Sequence, residues 1–228
     1  MTLAALCAAQ QQIAEEEEEE EEEAGGALST SMRGCGAFGV LAPLLVVMAM
    51  LSAVEGQVPA LGACPDMQTV PGFDMARYMG RWYEAERYFA LFEFGGKCVS
   101  ANYTDSGEGR VAIVNRQTSS ITGIRSTIEG EVRILGRTDD SKLNVRFPSL
   151  PVTFTAPYWI LDTDYDSFAV VWSCTNFGLF SIRNAWILTR DRFPTLEVME
   201  RAYSAVDRHG VSRAFFIRTD QRNCPSVY

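Results

Sequence analysis

From Gly80 onward, apolar and polar residues alternate in short runs that are separated by turn-forming residues. A period of two places successive side chains on opposite faces of an extended chain, so each run predicts a β-strand. Eight short strands at nearly regular spacing favour an antiparallel sandwich or an up-and-down barrel. The predicted strands cover residues 82–88, 98–104, 111–117, 125–135, 142–147, 157–162, 168–175 and 184–189.

One α-helix is predicted after the eighth strand. Pro194 suits a first helical turn, and Gly210 suits the position after the last turn. The apolar residues between them recur at helical spacing, which predicts a face packed against the strands. A short strand around residues 215–217 follows the helix. The residues of the apolar stripe are Leu196, Met199, Tyr203 and Val206.

The connections between strands divide into a polar set and an apolar set. In a simple meander each strand reverses direction, so alternate connections lie at the same end. The second, fourth and sixth connections are polar, and they cover residues 105–109, 136–141 and 162–167. The connections at the other end carry most of the loop aromatics. We therefore predict one polar end and one apolar rim, of the kind that forms a mouth, a lid or a docking surface. The predicted rim residues are Phe89, Leu91, Phe92, Phe94, Phe177, Leu179 and Phe180.

Two N-terminal segments differ from this body. Residues 1–31 contain nine consecutive glutamates and no apolar periodicity, so we predict a disordered extension or a stretch that is not translated. Residues 32–56 begin with Met32 and Arg33, continue through an apolar run and end in small residues. That order is typical of a secretory signal peptide, and it leaves residues 57–228 as the mature domain.

The net charge of −9 belongs to the N-terminal region. After residue 56 the chain has 19 Lys and Arg and 19 Asp and Glu, so the body has no net charge. A neutral body offers no overall field to attract nucleic acid, and we expect no nucleic-acid partner.

The residues with reactive side chains suggest an extracellular, non-catalytic protein. Of the six cysteines, Cys7 and Cys35 lie in the two N-terminal segments, and the four in the mature domain predict two disulfides with three possible pairings. The single histidine, His209, and the absence of a C-x-x-C pair argue against a metal site, and no nucleophile is paired with a base. Asn102 begins the only N-glycosylation sequon. The four cysteines are Cys64, Cys98, Cys174 and Cys224.

Three short motifs carry a resemblance to a known family. G-R-W opens the first strand, T-D-Y follows the sixth, and an arginine ends the eighth in W-I-L-T-R. By the same alternation all three lie at the polar end, where the arginine can stack over the tryptophan in a cation–π contact of about 0.5–2 kcal/mol. The constellation resembles the lipocalins, in which these motifs mark the closed end of the barrel. Its residues are Gly80, Trp82, Thr163, Asp164, Tyr165 and Arg190.

Within that family the chain resembles the group that includes apolipoprotein D and the arthropod Lazarillo type. The stretches GRWYE, KCVSANYT, APYWILDTDY, SCTNFGLF and AWILTR carry this resemblance, which extends over residues 64–225. It implies an all-β fold, an eight-stranded antiparallel up-and-down barrel with one C-terminal α-helix packed on it. It also implies the disulfides Cys64–Cys174 and Cys98–Cys224 and glycosylation at Asn102.

The resemblance further implies a secreted carrier of small hydrophobic molecules such as fatty acids, sterols, retinoids or pheromone-like lipids. A pigment carrier that binds a bilin or a carotenoid is the alternative. We expect no cofactor or metal, a monomer or weak oligomer, and docking of the apolar rim on membranes or lipoproteins with little dependence on salt. By resemblance Tyr103, Asn115, Phe147, Tyr158 and Trp186 line the cavity, and alternation adds Leu188 and Trp172.

Overall fold

The predicted meander is present in the computed structural model, which describes residues 58–88, 95–107, 110–134, 141–148 and 155–225. These residues contain ten strands in one antiparallel sheet, and eight of them, β2 to β9, close into a barrel through pairing of β9 with β2. The strands are β1 Val58–Leu61, β2 Gly80–Tyr88, β3 Gly96–Gly107, β4 Arg110–Ser119, β5 Arg125–Ile134, β6 Lys142–Arg146, β7 Thr155–Thr163, β8 Phe168–Phe177, β9 Phe180–Thr189 and β10 Phe216–Arg218.

The sequence prediction did not include β1. This strand pairs with the first residues of β9, beyond the stretch of β9 that closes the barrel. Four residues with a proline and no alternation give little strand signal, and only the free edge of β9 makes them extended. β1 therefore adds a ninth strand at the end of the barrel where β9 begins.

The predicted C-terminal helix is α2, Leu196–Arg208, and a short helix, α1, Met75–Tyr78, precedes β2. Thr195 caps α2, so Pro194 lies just outside the helix. The stripe prediction is wrong for Leu196, which is 75% exposed, whereas Val198 and Met199 of the same turn pack against the apolar cluster between α2 and the barrel wall. The small residues Ala202 and Ala205 are also buried where α2 packs against the barrel. No helix in the described part of the chain is long and apolar enough to cross a lipid bilayer.

Two apolar clusters lie on the two sides of the barrel wall. One fills the barrel, and the other lies between the wall and α2. On β9, Trp186 and Leu188 belong to the inner cluster, whereas Ala185 and Ile187 belong to the outer one. The period of two in the sequence thus separates ligand-side residues from residues that anchor the helix.

The closed end is organised around Arg190. Its guanidinium lies 3.7 Å from the centre of the Trp82 ring, as predicted. The Trp82 side chain is completely buried, and its Nε1 donates to the backbone oxygen of Tyr78 at 2.9 Å. Arg190 also donates to four backbone oxygens at 2.8–3.3 Å, and Gly80, at φ +89°, leaves space for that side chain. The acceptors are the carbonyls of Arg77, Tyr78, Arg81 and Tyr165.

The T-D-Y motif shapes the turn between β7 and β8. Asp164 accepts hydrogen bonds from the backbone N–H groups of Ser167 and Phe168, and Arg201 on α2 donates to it at 2.7 Å. Burial opposes the charge of Asp164, but a hydrogen bond from the Ser167 hydroxyl, the two backbone hydrogen bonds and the Arg201 charge lower its pKa below the usual value. The motif therefore fixes the turn and attaches the helix at the closed end, which is a structural role.

The C-terminal segment completes the barrel wall. β2 pairs with β3 only through Gly80–Tyr83, and the other half of β2 pairs with β10. Residues 216–221, which we call the seam segment, therefore occupy the gap between β2 and β3. Gln221 bridges the gap, because its Nε2 donates to the backbone oxygens of Glu84 at 2.9 Å and Val99 at 2.8 Å.

Both disulfides implied by the family resemblance are present. Cys98–Cys224 joins β3 to the residues that follow the seam segment, and Cys64–Cys174 joins the chain after β1 to β8. The four cysteines in the described residues are all used in this way.

Candidate ligand-binding site

A cavity of about 110 Å³ lies inside the barrel. Its wall is largely apolar. Residues of β2, β3, β4, β6, β7, β8 and β9 form this wall, together with Phe147, which follows β6. Six of the seven residues predicted to bind ligand border this cavity. They are Tyr103, Asn115, Phe147, Tyr158, Trp186 and Leu188.

The prediction for the seventh residue, Trp172, is wrong. Trp172 belongs to the cluster beneath α2, and its ring makes an edge contact with Tyr88 at 6.3 Å between ring centres. Its neighbours on β8, Val171 and Ser173, face the barrel interior, and Ser173 borders the cavity. The strand was predicted correctly, but the choice of its inner face was inverted at this residue.

Three tyrosine hydroxyls meet beside the cavity. Tyr103 Oη donates to Tyr158 Oη at 2.8 Å, and the Tyr78 and Tyr158 hydroxyl oxygens are 3.4 Å apart. Burial, reinforced by the neighbouring phenols, raises the pKa of all three well above the ordinary tyrosine value. The cluster therefore stays neutral at physiological pH and offers hydroxyl groups without a charge.

Aromatic faces form the rest of this surface. Tyr158 stacks on Trp186 with ring centres 6.4 Å apart. Phe147 packs directly over Gly130, where an added Cβ would lie 2.7 Å from the phenyl ring. Gly130 was not predicted as a site residue, although a side chain at this position would displace the Phe147 ring.

A buried ion pair borders the cavity and was also missed. Glu84 Oε1 lies 2.7 Å from Arg87 Nη1, and Thr219 of the seam segment donates to the same carboxylate at 2.5 Å. A β-bulge in β2 places Glu84 opposite Leu188 but Glu86 opposite Ile187, so Arg87 turns inward beside Glu84. The partner arginine neutralises the carboxylate, so the pair brings no net charge to the apolar cavity.

Other inward residues missed by the prediction follow from simple alternation. Counting in twos from Tyr103 reaches Ala101, and counting from Asn115 reaches Ile113 and Gln117. All three border the cavity. A prediction based on strand periodicity alone would have identified them, whereas the ion pair depends on the bulge.

The single histidine and the asparagine of the glycosylation sequon do not border the cavity. His209 is half-buried at the C-terminal end of α2, where burial lowers its pKa. Among the described residues no group of three His, Cys, Asp or Glu side chains is arranged to hold a metal ion. Asn102 lies on the outer face of β3 between two cavity residues, and its glycosylation stays a prediction.

The described part of the predicted rim ranges from half-buried Phe177 to strongly exposed Leu179. Leu179 is 88% exposed in the β8–β9 turn, and Phe180 stacks on Phe177 with ring centres 5.7 Å apart. Leu61 of β1, which was not predicted, is 93% exposed and pairs with Phe180. The other predicted rim residues lie outside the described residues: Phe89, Leu91, Phe92 and Phe94.

Comparison with known proteins gives consistent results. The family described as a lipocalin-like domain matches residues 73–221. Apolipoprotein D of Cavia porcellus is 38% identical over 82% of this chain and 98% of that protein. The Lazarillo protein of Schistocerca americana is 30% identical over 82% of this chain and 85% of that protein. Among solved structures, insecticyanin from Manduca sexta superposes with a TM-score of 0.66 at 25% identity, covering 72% of this chain and 89% of that one.

Proposed function

This chain belongs to the lipocalin family, and we propose on that basis that it is an extracellular carrier of a small hydrophobic molecule held inside the barrel. The observation that supports this most directly is the apolar cavity with its neutral hydroxyl cluster. A largely apolar wall with a few convergent polar groups is typical of small-molecule sites. The two disulfides support export, since such bonds persist in oxidising compartments.

The cavity suggests which ligands fit. Its volume of about 110 Å³ is below the ~300–1,000 Å³ of drug-sized sites. A compact ligand therefore fits without rearrangement, whereas a sterol or a bilin requires side chains such as Phe147 to move. The neutral phenols and the paired Glu84 favour a ligand whose polar end is a hydroxyl or a carbonyl. Visible absorbance of the native protein would support the pigment-carrier alternative.

Replacing Trp186 by leucine is expected to weaken ligand binding by about tenfold, since the ligand loses a large aromatic face. The same variant should abolish most ligand-dependent quenching of tryptophan fluorescence, because Trp82, Trp159 and Trp172 do not border the cavity. Titration with retinol, which like a sterol requires side chains such as Phe147 to move, measures both effects. The matched control is Trp159→Leu, on the outer side of β7. Unchanged affinity and quenching in the Trp186 variant would remove this residue from the site.

We also propose that the apolar rim docks on a membrane while the ligand enters or leaves. Leu61 and Leu179 stand together at this end, because the N–H of Gly62 donates to the backbone oxygen of Leu179 at 2.9 Å. Two adjacent leucines that are almost fully exposed suit a surface whose partner is itself apolar.

Serine at both Leu61 and Leu179 should lower vesicle binding on the order of tenfold, because less apolar area leaves water on docking. Sedimentation with phospholipid vesicles measures the bound fraction. The control carries serine at Phe193 and Leu196, which are 66% and 75% exposed beside the start of α2. If both double variants bind as the parent does, the rim is not the docking surface.

A further inference from the structure

A second cavity lies outside the barrel, between the start of α2 and the seam segment, and we call it the outer groove. Its volume is about 620 Å³, which lies within the ~300–1,000 Å³ that is typical of small-molecule sites. None of the residues that line it borders the barrel cavity. Glu84 borders the barrel cavity and its neighbour Ala85 borders the outer groove, so the wall of β2 separates the two compartments. The residues that line the outer groove are 85, 86, 192–194, 199 and 218–222.

Part of the outer groove is apolar. Ala85 and Met199 belong to the buried cluster between the barrel wall and α2, and both border the groove. Beside them Phe193 is strongly exposed and Pro194 is half-buried. Because removing apolar surface from water favours binding, an exposed phenyl ring next to a buried apolar base suits the hydrocarbon part of a ligand.

Two arginines of the outer groove have no close carboxylate. Arg192 Nη1 donates to Gln221 Oε1 at 3.0 Å, its guanidinium lies 4.6 Å from the centre of the Tyr83 ring, and it forms no ion pair with any described residue. Arg218 Nε lies 3.9 Å from Glu86 Oε1, which is too far for a hydrogen bond. Each guanidinium therefore retains N–H groups that can donate to a ligand.

The acidic side chains of the outer groove already have partners. Tyr203 donates to Glu86 Oε1 at 2.6 Å, and Asp220 pairs with Arg222 at 2.9 Å. The groove is thus lined by three arginines and two carboxylates, which leaves one positive charge in excess. A ligand with a single negative charge matches this lining.

We propose that the outer groove binds an amphiphile with one carboxylate, whose oxygens accept hydrogen bonds from Arg192 and Arg218 and whose hydrocarbon part covers Phe193 and Met199. Guanidinium groups match the planar geometry of a carboxylate, and such charge-assisted hydrogen bonds are stronger than neutral ones. The neutral barrel cavity favours a hydroxyl or a carbonyl end instead. The protein therefore has two compartments that take ligands of different charge.

The test titrates decanoate into protein saturated with retinol. Calorimetry measures decanoate binding, while retinol fluorescence reports whether the barrel stays occupied. We expect one decanoate to bind without release of retinol. Decanol, which has the same chain length and no charge, should bind to the retinol-loaded protein at least about tenfold more weakly, because it loses the charge-assisted hydrogen bonds.

The variant Arg192→Gln/Arg218→Gln should bind decanoate about tenfold more weakly or less tightly still, and it should keep its affinity for retinol. The matched control, Arg133→Gln/Arg208→Gln, removes the same charge from the outer face of β5 and from the C-terminal end of α2. We expect the control to bind decanoate as the parent does. Circular dichroism of each variant verifies that the barrel is folded.

Several results would overturn the proposal. They are the absence of decanoate binding to the retinol-loaded parent, release of retinol by decanoate, and an equal loss of affinity in the two double variants. Acetate that binds as tightly as decanoate shows an anion site without an apolar part, which also overturns it. If the parent binds no retinol, the carrier function fails, and the comparison of the two variants on retinol-free protein still decides whether the outer groove binds decanoate.

Discussion

Alanine in place of Trp82 is expected to lower the free energy of unfolding by about 3–5 kcal/mol. The indole is completely buried at the closed end, where Arg190 covers one face and Tyr78 accepts its N–H. Its removal leaves a cavity and also deprives the guanidinium of its aromatic partner. The closed end thus loses packing, a hydrogen bond and a cation–π contact through one substitution.

Urea unfolding followed by circular dichroism measures this loss without depending on the removed fluorophore. Phenylalanine at Trp82 keeps a ring under Arg190 and should cost less than alanine, because only the hydrogen bond and part of the volume are lost. Alanine at Trp159 is the matched control, since that side chain is only half-buried on the outer side of β7. If alanine at Trp82 lowers the free energy of unfolding no more than alanine at Trp159 does, the closed end is not central to stability.

Removal of either disulfide is expected to lower the free energy of unfolding by about 2–5 kcal/mol. The bridges span 110 and 126 residues, so their effects on the entropy of the unfolded chain differ by only about 0.1 kcal/mol. Any larger difference between the two variants therefore reports on the folded state. The two variants to compare are Cys64→Ser/Cys174→Ser and Cys98→Ser/Cys224→Ser, and each serves as the control for the other.

We expect retinol affinity to fall further in the variant without Cys98–Cys224. That bridge holds the chain just beyond the seam segment, and Cys98 precedes Val99 and Ser100, which border the cavity. The N–H of Cys98 also donates to the backbone oxygen of Asp220 at 2.9 Å. Affinity measured well below the unfolding transition separates this effect from global stability. Equal affinities in the two variants would show that the seam does not shape the cavity.

The barrel could be predicted from the sequence alone, because the alternation of apolar and polar residues in each strand is a local pattern. Alternation predicted all eight barrel strands, and short motifs with a fixed order predicted the contact between Trp82 and Arg190. Alternation also placed Leu188 inside correctly, on the same face as Trp186, which the family resemblance had assigned to the cavity. It failed at Trp172 because a run of apolar residues on both faces of β8 gives no signal for which face is inner.

Features that depend on distant contacts could not be predicted locally. The inward turn of Arg87 needs a bulge whose position is set by pairing with β9. Strand β1 exists only because β9 offers it a free edge. Leu196 is exposed although Val198 and Met199 of the same turn are packed, and this difference depends on how α2 lies on the barrel.

The seam segment has a consequence for biosynthesis. Domains generally fold from the N-terminus as the chain is made, but this wall contains residues 216–221, which are synthesised after all eight barrel strands. A nascent chain that already holds all eight barrel strands still has an unsealed side between β2 and β3. The barrel wall is therefore completed only after the seam segment has been added and Cys224 has formed its disulfide with Cys98.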